Sequence, residues 1–397
     1  MKVLTPEGEE KNLMVLNIGP SHGATHGCLR YITALDGENI AASVGEIGYL
    51  HRGFEKTAER GTWQQVLPLT DRLDYCSAMM NNFAYCRAVE KMLGIEIPER
   101  AKVIRVIVNE LSRIADHFIC DAAAAQDLGS TTGFFYLFDS REQTMRIWEK
   151  LTGARLTNSY GRIGGLYRDT YEGFEEDVLA VCKTVEKNLR DVHACFDRNR
   201  IFLDRTVNVG CMTPEKAISY GWTGPCLRAT GVASDVRKDE PYWDYETYDW
   251  NVVTGTRGDV FDRLMVRLAE AEESLKIIRQ ALKRLAPGPV SVEDPRVRVP
   301  SHERVYQDME ALAGRFKSVF EGIRVPAGEY YCGTETANGE LGFTLVSDGS
   351  GHPWRVKVRP PCFTQFAAFH ELVEGGLIAD SIACLSSINI IAGELDR

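Results

Sequence analysis

Apolar residues recur at helical spacing through the middle of the chain. Between Ser77 and Leu93 they follow one helical face, and Gly94 is placed to end that helix. A second apolar stripe follows Pro98 and runs from Ile104 towards residue 125 on more than one face, which predicts a helix central to a bundle. Further helices are predicted over 134–151, 174–198, 213–220, 259–285, 302–320 and 363–373, and Gly153 is placed to end the first of these.

The two ends of the chain follow a different period. Residues 12–19 and 29–48 alternate as strands do, and Asp36-Gly37 predicts a hairpin inside the second run. Near the carboxyl end, Asn338-Gly339 and Asp348-Gly349 punctuate the alternating runs GFTLVS and WRVKVR, which predict a β meander. The helix over 259–285 carries opposite charges, so we expect it to be exposed, and we expect 221–258 to be irregular surface or interface.

A glycine-rich loop, NIGPSHGATHGCLR, joins the first two predicted strands and carries His22 and His26. Proline and glycine do not favour a helix there, so the four-residue spacing does not form a helical zinc pair. Three interpretations stay open: a metal site, two histidines that cap a turn, or a catalytic or ligand-facing role for at least one of them.

Composition narrows the function classes. The net charge of −10 argues against nucleic acid as a partner. No apolar segment is long enough to span a membrane and the N-terminus lacks a signal peptide core, so we expect a soluble, cytosolic chain. The eleven cysteines contain no C-x-x-C pair, which predicts reduced thiols and no zinc or iron–sulfur cage. GRIGG at 161–165 matches neither a dinucleotide fingerprint nor a P-loop.

Four other places each admit an ordinary structural interpretation. Tyr75 at a helix start could simply pack, and the charges of 71–74 could form a solvated turn. His51 and Arg52 could be an exposed basic turn. Asp127 could be a carboxylate in water, although the helix dipole disfavours it at a C-terminus and hints at a compensating partner.

Taken together, several stretches resemble one family, the 49-kDa-type core subunit of respiratory complex I, also called its D subunit. They occur in order over nearly the whole chain: GPSHGATHGCLR, GYLHRGFEK, PLTDRLDY, the pattern of residues 128–142, TRGDVFDR, GELGFTLVSDGS and the terminal GELDR.

That family is similar to the large subunits of nickel–iron hydrogenases, so the resemblance implies an α+β fold, mainly α, with a central helical bundle between N-terminal and C-terminal antiparallel β structure. The expected domains are 1–60 (β domain with the His loop), 61–330 (helical bundle core) and 331–397 (β meander, helix and tail returning to the site). The two C-x-x-C pairs that hold the hydrogenase metal are absent here, which implies a quinone headgroup in the metal's place and no metal.

The resemblance implies that Tyr75 donates to one quinone carbonyl, that His26 lies near the same oxygen, and that Asp127 pairs with His26. His22 is expected to shape the loop and contribute to quinone binding. Arg52 and His51 are expected near an iron–sulfur cluster carried by the neighbouring B subunit, because this chain binds no cofactor of its own. The implied partners are the B, C and I subunits of complex I and its quinone-entry membrane protein, the H subunit, on the cytoplasmic side of the bacterial inner membrane.

Two departures from the family pattern matter. Leu156-Thr157 replaces Met-His, so we expect a pH-independent and lower cluster potential that suits menaquinone, which a redox titration checks. Ser21-His22-Gly23-Ala24 replaces Gln-His-Pro-Ala, which should loosen the loop. The alternatives are a scaffold that only docks iron–sulfur subunits, and a membrane-bound hydrogenase large subunit. The sequence does not identify the electron donor.

Overall fold

The computed structural model describes residues 2–4, 10–21 and 27–397, with side chains from residue 12 onward in those ranges. The strands are β1 (Lys2–Leu4), β2 (Glu10–Asn12), β3 (Met14–Ile18), β4 (Arg30–Asp36), β5 (Asn39–Glu46), β6 (Gly161–Arg162), β7 (Gly165–Leu166), β8 (Gly328–Glu335), β9 (Glu340–Ser347) and β10 (Arg355–Arg359).

The helices include long core elements and short connecting ones. They are α1 (Phe54–Arg60), α2 (Leu67–Thr70), α3 (Ala78–Leu93), α4 (Glu99–Asp127), α5 (Thr131–Thr152), α6 (Phe174–Phe196), α7 (Arg200–Thr206), α8 (Pro214–Ser219), α9 (Gly224–Ala229), α10 (Val236–Asp239), α11 (Val260–Lys283), α12 (His302–Gln307), α13 (Met309–Phe320), α14 (Pro361–Ala367), α15 (Phe369–Val373), α16 (Ile378–Ser387) and α17 (Ala392–Asp396).

The N-terminal sheet has the antiparallel order β3-β4-β5. Alternate residues of β4 face the core, and Tyr31, Thr33 and Leu35 are buried while their neighbours within the strand are more exposed. The hairpin at Asp36-Gly37 is confirmed, with Gly37 at a φ of 67° that favours glycine. The predicted histidine loop therefore connects β3 to β4, and its residues 22–26 lie outside the described ranges.

The helical centre is built around α4, which is buried along most of its length and packs against α5, α11 and α16. Its central position confirms the prediction from its apolar stripe. Glycines in the left-handed conformation end two helices as predicted, Gly94 after α3 and Gly153 after α5.

Two predictions about exposure were wrong. The helix predicted over 259–285 is α11, and its charged residues Arg263, Arg267 and Glu270 are buried. The aromatic residues of 221–258 are also buried, so the surface alternative for that segment was wrong. The reason is ion pairing across the bundle: Arg228 Nε donates to Glu270 Oε1 at 2.6 Å, and Arg228 Nη1 donates to Glu335 Oε1 at 2.9 Å.

The predicted β meander is confirmed as the antiparallel sheet β10-β9-β8, which packs against α3. The helix predicted over 302–320 is two helices, because Asp308 ends α12 and caps α13 by accepting a hydrogen bond from the Glu310 N–H. Within the described ranges, no helix combines the length and the apolar character that crossing a membrane requires.

The fold is a mixture of helices and small antiparallel sheets, as predicted. One apolar core reaches from Ile18 in β3 to Leu395 in α17 and includes residues of α4, α5 and α11. A second core joins α3 to the C-terminal sheet. The division at 60 and 330 and the likeness to hydrogenase large subunits stay predictions.

Candidate functional site

The carboxyl-terminal residues are hydrogen-bonded to the loop that carries His51. Asp396 accepts two backbone hydrogen bonds through its carboxylate, from Gly48 N at 2.8 Å and from Leu50 N at 2.7 Å. The Asp396 carbonyl accepts a third from His51 Nδ1 at 2.7 Å. Charge-assisted bonds such as the first two are stronger than neutral ones, so the tail fixes the position of the loop.

Arg52 extends this junction to the segment that follows α2. Its Nη2 donates to the Arg72 carbonyl at 2.7 Å and lies 3.5 Å from the Gly393 carbonyl. Gly393 admits no larger residue, because a Cβ there would lie 2.6 Å from the Arg72 oxygen and 2.7 Å from the Leu73 oxygen. The structure therefore brings His51 and Arg52 together with the tail, and His51 lines a cavity of about 500 Å³ beside it.

The charge of Arg52 also acts on Asp71. Burial raises the pKa of Asp71 to about 6, and the nearby Arg72 and Arg52 guanidinium groups limit that rise. Arg72 Nη1 donates to Asp71 Oδ1 at 2.8 Å. The interpretation of residues 71–74 as a solvated turn is therefore only partly correct, because Asp71 and Asp74 are both buried.

Tyr75 is half-buried just before α3, and in the described part of the chain its hydroxyl accepts and donates no hydrogen bond. Burial raises its pKa well above 10, with smaller contributions from Cys76, Asp74, Cys362 and Cys28. A phenol in this environment keeps its proton at neutral pH and is available as a donor to a bound group.

Asp127 is the last residue of α4 and is exposed. Burial raises the pKa of Tyr31 in β4, and the charge of Asp127 adds a smaller contribution in the same direction. The Tyr31 hydroxyl lies 3.2 Å from Ser381 Oγ. Cys28, which acts on Tyr75, lies three residues before Tyr31. Tyr75 and Asp127 are therefore each coupled electrostatically to a residue that follows the histidine loop in the chain.

His22 and His26 themselves lie outside the described residues. The pairing of His26 with Asp127 and the approach of His26 to Tyr75 stay predictions. The structure adds only that two residues after the loop are coupled electrostatically to the proposed partners, Cys28 to Tyr75 and Tyr31 to Asp127.

A buried carboxyl cluster was missed by the sequence reasoning. Asp74, Asp116 on α4 and Glu394 on α17 are each almost fully buried. Burial and the charge of Asp74 raise the pKa of Glu394 to about 8, and Cys362 Sγ donates to Glu394 Oε2 at 2.7 Å. An acidic residue inside the apolar stripe of α4 was the available signal, but nothing local to it identifies the other two members.

The same place contains a group of potential metal-ligand atoms, from Asp74, Cys76 and Asp116, all within 4.8 Å of one another. Asp74 already accepts four hydrogen bonds, from the backbone N–H groups of Cys76 and Ser77, from Ser77 Oγ and from Asn338 Nδ2. Because these bonds use the lone pairs of the carboxylate, we assign no ion to the group.

Comparison with known proteins adds to this geometry. Residues 127–397 match the family model of the respiratory-chain NADH dehydrogenase 49 Kd subunit. The chain is 47% identical over 388 residues to the D subunit of NADH-quinone oxidoreductase from Pelobacter propionicus, covering 98% of this chain and 96% of the relative. It is 49% identical over 385 residues to the D 1 subunit of the same enzyme from Sorangium cellulosum, covering 97% and 95%.

A third relative is a longer protein. The C/D subunit of NADH-quinone oxidoreductase from Bdellovibrio bacteriovorus is 50% identical over 382 residues, which are 96% of this chain and 68% of the relative. These matches run over nearly the whole chain and confirm the resemblance seen in the motifs. The chain belongs to the family of the 49-kDa, or D, subunits of the respiratory-chain NADH dehydrogenase, a multi-subunit oxidoreductase.

Proposed function

We propose that this chain is the quinone-site core subunit in the peripheral arm of a proton-pumping NADH-quinone oxidoreductase. Two observations support this. Relatives that align along almost their whole length have the name of that enzyme's D subunit. Among the residues that the structure describes, the Tyr75 phenol has no hydrogen-bond partner, and it is coupled electrostatically to Cys28, which follows the histidine loop. The environment of Tyr75 is the observation that carries the proposal, because the phenol stays protonated and, among the described residues, has no partner that would prevent it from donating a hydrogen bond to a ligand.

Reduction of a quinone to a quinol takes two electrons and two protons, so each carbonyl oxygen must receive a proton. Tyr75 donates to one quinone carbonyl, and His26 lies at or near the same oxygen. Asp127 pairs with His26, holding its tautomer and keeping it cationic until the proton is needed. His22 shapes the loop and contributes to quinone binding.

The electrons come from an iron–sulfur cluster of the B subunit, because the cysteines of this chain contain no C-x-x-C pair that would hold such a cluster. Arg52 and His51 face that cluster. Arg52 suits this role because its permanent charge is held at a fixed place by the Arg72 carbonyl, 2.7 Å from Nη2. Leu156-Thr157 then leaves the cluster without a titratable neighbour, which favours a pH-independent, lower potential and a low-potential quinone such as menaquinone.

The chain works with the B, C and I subunits and with the H subunit of the membrane arm, which admits the quinone. The C/D relative supports the proximity of the C partner, because one name covers both subunits there. The complex places this chain peripherally on the cytoplasmic side of the bacterial inner membrane. Its fold follows the nickel–iron hydrogenase large subunit, with the quinone headgroup where the hydrogenase metal would be.

The test is Tyr75→Phe in the assembled complex, with quinone reduction and reduction of an artificial acceptor upstream of the quinone measured separately. We expect quinone reduction to fall by about 10²-fold or more, because one positioned proton donor contributes on that order, while the upstream reaction continues. Tyr171→Phe is the matched control, since Tyr171 is also half-buried but its hydroxyl donates to Asp177 at 2.7 Å, away from the site.

Each rival makes a different prediction for this experiment. Unchanged quinone reduction in an assembled Tyr75→Phe complex would favour a scaffold that only docks iron–sulfur subunits. Stoichiometric nickel in the purified complex would identify a hydrogenase large subunit instead. The polypeptide composition of the same preparation shows which electron donor module is present.

A further inference from the structure

The turn between β8 and β9 lies inside the protein. Three of its residues, Thr336, Ala337 and Asn338, are each no more than 1% exposed, whereas loops between elements normally run over the surface. Thr336 and Gly339 close the turn by exchanging two backbone hydrogen bonds, at 2.8 and 3.3 Å. Residues 336–339, the buried turn, therefore project from the C-terminal sheet into the interior.

Side chains from three other parts of the chain hold the buried turn. Arg113 on α4 donates to the Thr336 carbonyl at 2.8 Å. Gln365 on α14 donates to the Asn338 carbonyl at 2.7 Å. Asn389, which lies two residues after α16, donates to Asn338 Oδ1 at 2.6 Å. Because buried carbonyl and amide groups are costly to leave unpaired, these bonds fix the turn in place.

The side-chain amide of Asn338 connects the buried turn to Asp74. Asn338 Nδ2 donates to Asp74 Oδ2 at 3.3 Å, across 264 positions of the chain. The reversed amide would place its oxygen against the carboxylate and its nitrogen against the donor of Asn389, so the two partners together determine the orientation. Asp74 is 1% exposed, so the amide takes the place of water as a partner of the carboxylate.

Asp74 in turn fixes the backbone on both sides of Tyr75. Its Oδ1 accepts from the N–H of Cys76 at 3.0 Å and from the N–H of Ser77 at 3.4 Å. The bond to Cys76 closes an Asx turn around Tyr75, because it joins a side chain to the N–H two residues later. Asn81 on α3 holds the same segment by donating to the Asp74 carbonyl at 2.8 Å. The backbone from which the phenol projects is therefore set by Asp74.

The Tyr75 ring has no hydrogen bond of its own to hold it. Among the residues that the structure describes, none donates to its hydroxyl or accepts from it. The ring is half-buried and packs against the main apolar core. Packing and the backbone therefore decide where the phenol points, and the backbone depends on Asp74 and, through it, on Asn338.

We propose that Asn338 is a positioning residue of the quinone site, which acts through Asp74 to set where Tyr75 presents its phenol. The proposal rests on the proposed quinone-site function. A phenol donates to a quinone oxygen only within hydrogen-bond reach, so a small displacement of the Tyr75 backbone removes the donor from its acceptor. Asn338 touches no substrate, and its effect on the reaction passes through Tyr75.

The experiment measures quinone reduction by the assembled complex with Asn338→Ala, and with Asn188→Ala as the matched control. Alanine removes the amide donor to Asp74 at every pH. Asn188 is also buried, and its Nδ2 also donates to an aspartate, Asp139 Oδ2 at 3.0 Å. Asn188 lies on α6 and Asp139 on α5, so the control removes the same kind of bond from a different part of the fold.

We expect Asn338→Ala to lower kcat for quinone reduction about tenfold, because a reacting group displaced by about 1 Å can lose up to about a hundredfold in rate. Reduction of an artificial acceptor upstream of the quinone should continue, which shows that the complex is assembled. Asn188→Ala should leave both reactions unchanged.

Tyr75→Phe supplies the readout that a purely structural role would not change. In that background the phenol is already absent, so Asn338→Ala should lower the rate no further if it acts through Tyr75. Two residues that act independently would instead multiply their losses.

Ser77→Ala keeps the test decisive if Asn338→Ala prevents assembly. It leaves the buried turn intact and removes the hydroxyl that donates to the same oxygen, Asp74 Oδ2, at 2.6 Å. We expect a severalfold loss of quinone reduction that is again absent in the Tyr75→Phe background.

Two results would overturn the proposal. One is a wild-type rate of quinone reduction in Asn338→Ala, or in Ser77→Ala where the first variant does not assemble, which would show that packing alone positions the ring. The other is an equal proportional loss in the wild-type and Tyr75→Phe backgrounds, which would show a structural role independent of the phenol. Failure of the proposed function is distinguishable, because Tyr75→Phe by itself would then reduce quinone at the full rate.

Discussion

Glu394 should make the stability of the folded chain fall as the pH rises. Its carboxyl is fully buried, and burial together with the charge of Asp74 raises its pKa from 4.5 to about 8. The folded state therefore keeps a proton that the unfolded state releases above pH 4.5. The stability associated with that proton is complete below pH 4.5 and is lost as the pH rises through 8.

The size of the effect follows from the shift. Each pH unit within the window is worth about 1.4 kcal/mol, so the free energy of unfolding should decrease by roughly 3 kcal/mol between pH 5 and pH 7 on account of this one group. Glu394→Gln removes the titration while retaining an oxygen that can accept from Cys362 Sγ, which lies 2.7 Å from Glu394 Oε2. The variant should gain stability relative to the wild type as the pH increases.

Urea unfolding of the full chain at pH 5, 6, 7 and 8, followed by tryptophan fluorescence, measures this difference. Glu329→Gln is the control, since Glu329 is an exposed glutamate on β8 and its replacement should leave the pH dependence of the wild type intact. Parallel pH dependences for the wild type and Glu394→Gln between pH 5 and pH 7 would show that Glu394 is ionised in the folded chain, and would refute the reasoning.

Two further predictions concern the junctions of the fold. Asp396→Ala removes the carboxylate that accepts two backbone hydrogen bonds, at 2.8 and 2.7 Å. Amide hydrogen exchange in residues 48–51, measured by mass spectrometry, should therefore accelerate by about tenfold to a hundredfold. An unchanged exchange rate would show that these bonds do not hold the loop in position. Glu90→Gln leaves the buried Arg105 guanidinium without its carboxylate, 2.7 Å away, and should cost about 3–5 kcal/mol in urea unfolding. Glu321→Gln, at an exposed pair, should cost less than about 1 kcal/mol, and equal losses in these two variants would show that burial does not set the cost.

Local patterns were sufficient for many elements. The alternation of residues 30–36 and the Asp-Gly pair predicted a hairpin because strand period and turn chemistry are properties of adjacent residues. Glycines after α3 and α5 predicted helix ends for the same reason. The motifs also identified the family, because they occur in order along nearly the whole chain.

Burial of charge was not predictable in this way. Helical spacing placed Glu270 on a polar side of α11, but it is buried because Arg228, far away in sequence, donates to it at 2.6 Å. The candidate site divides in the same manner. Tyr75, Arg52 and His51 were identified from motifs, whereas the hydrogen bonds between Asp396 and the loop before His51 are visible only in the structure.

By itself the sequence determined the periodic elements, the family and the residue types around the candidate site, since each depends on neighbours in the chain or on ordered motifs. Only the tertiary structure decided that Asp74, Asp116 and Glu394 meet in one buried cluster. The physical reason is that the ionisation of a carboxyl group depends on its burial and on the donors and charges that face it. In this chain those groups come from segments separated by up to hundreds of residues.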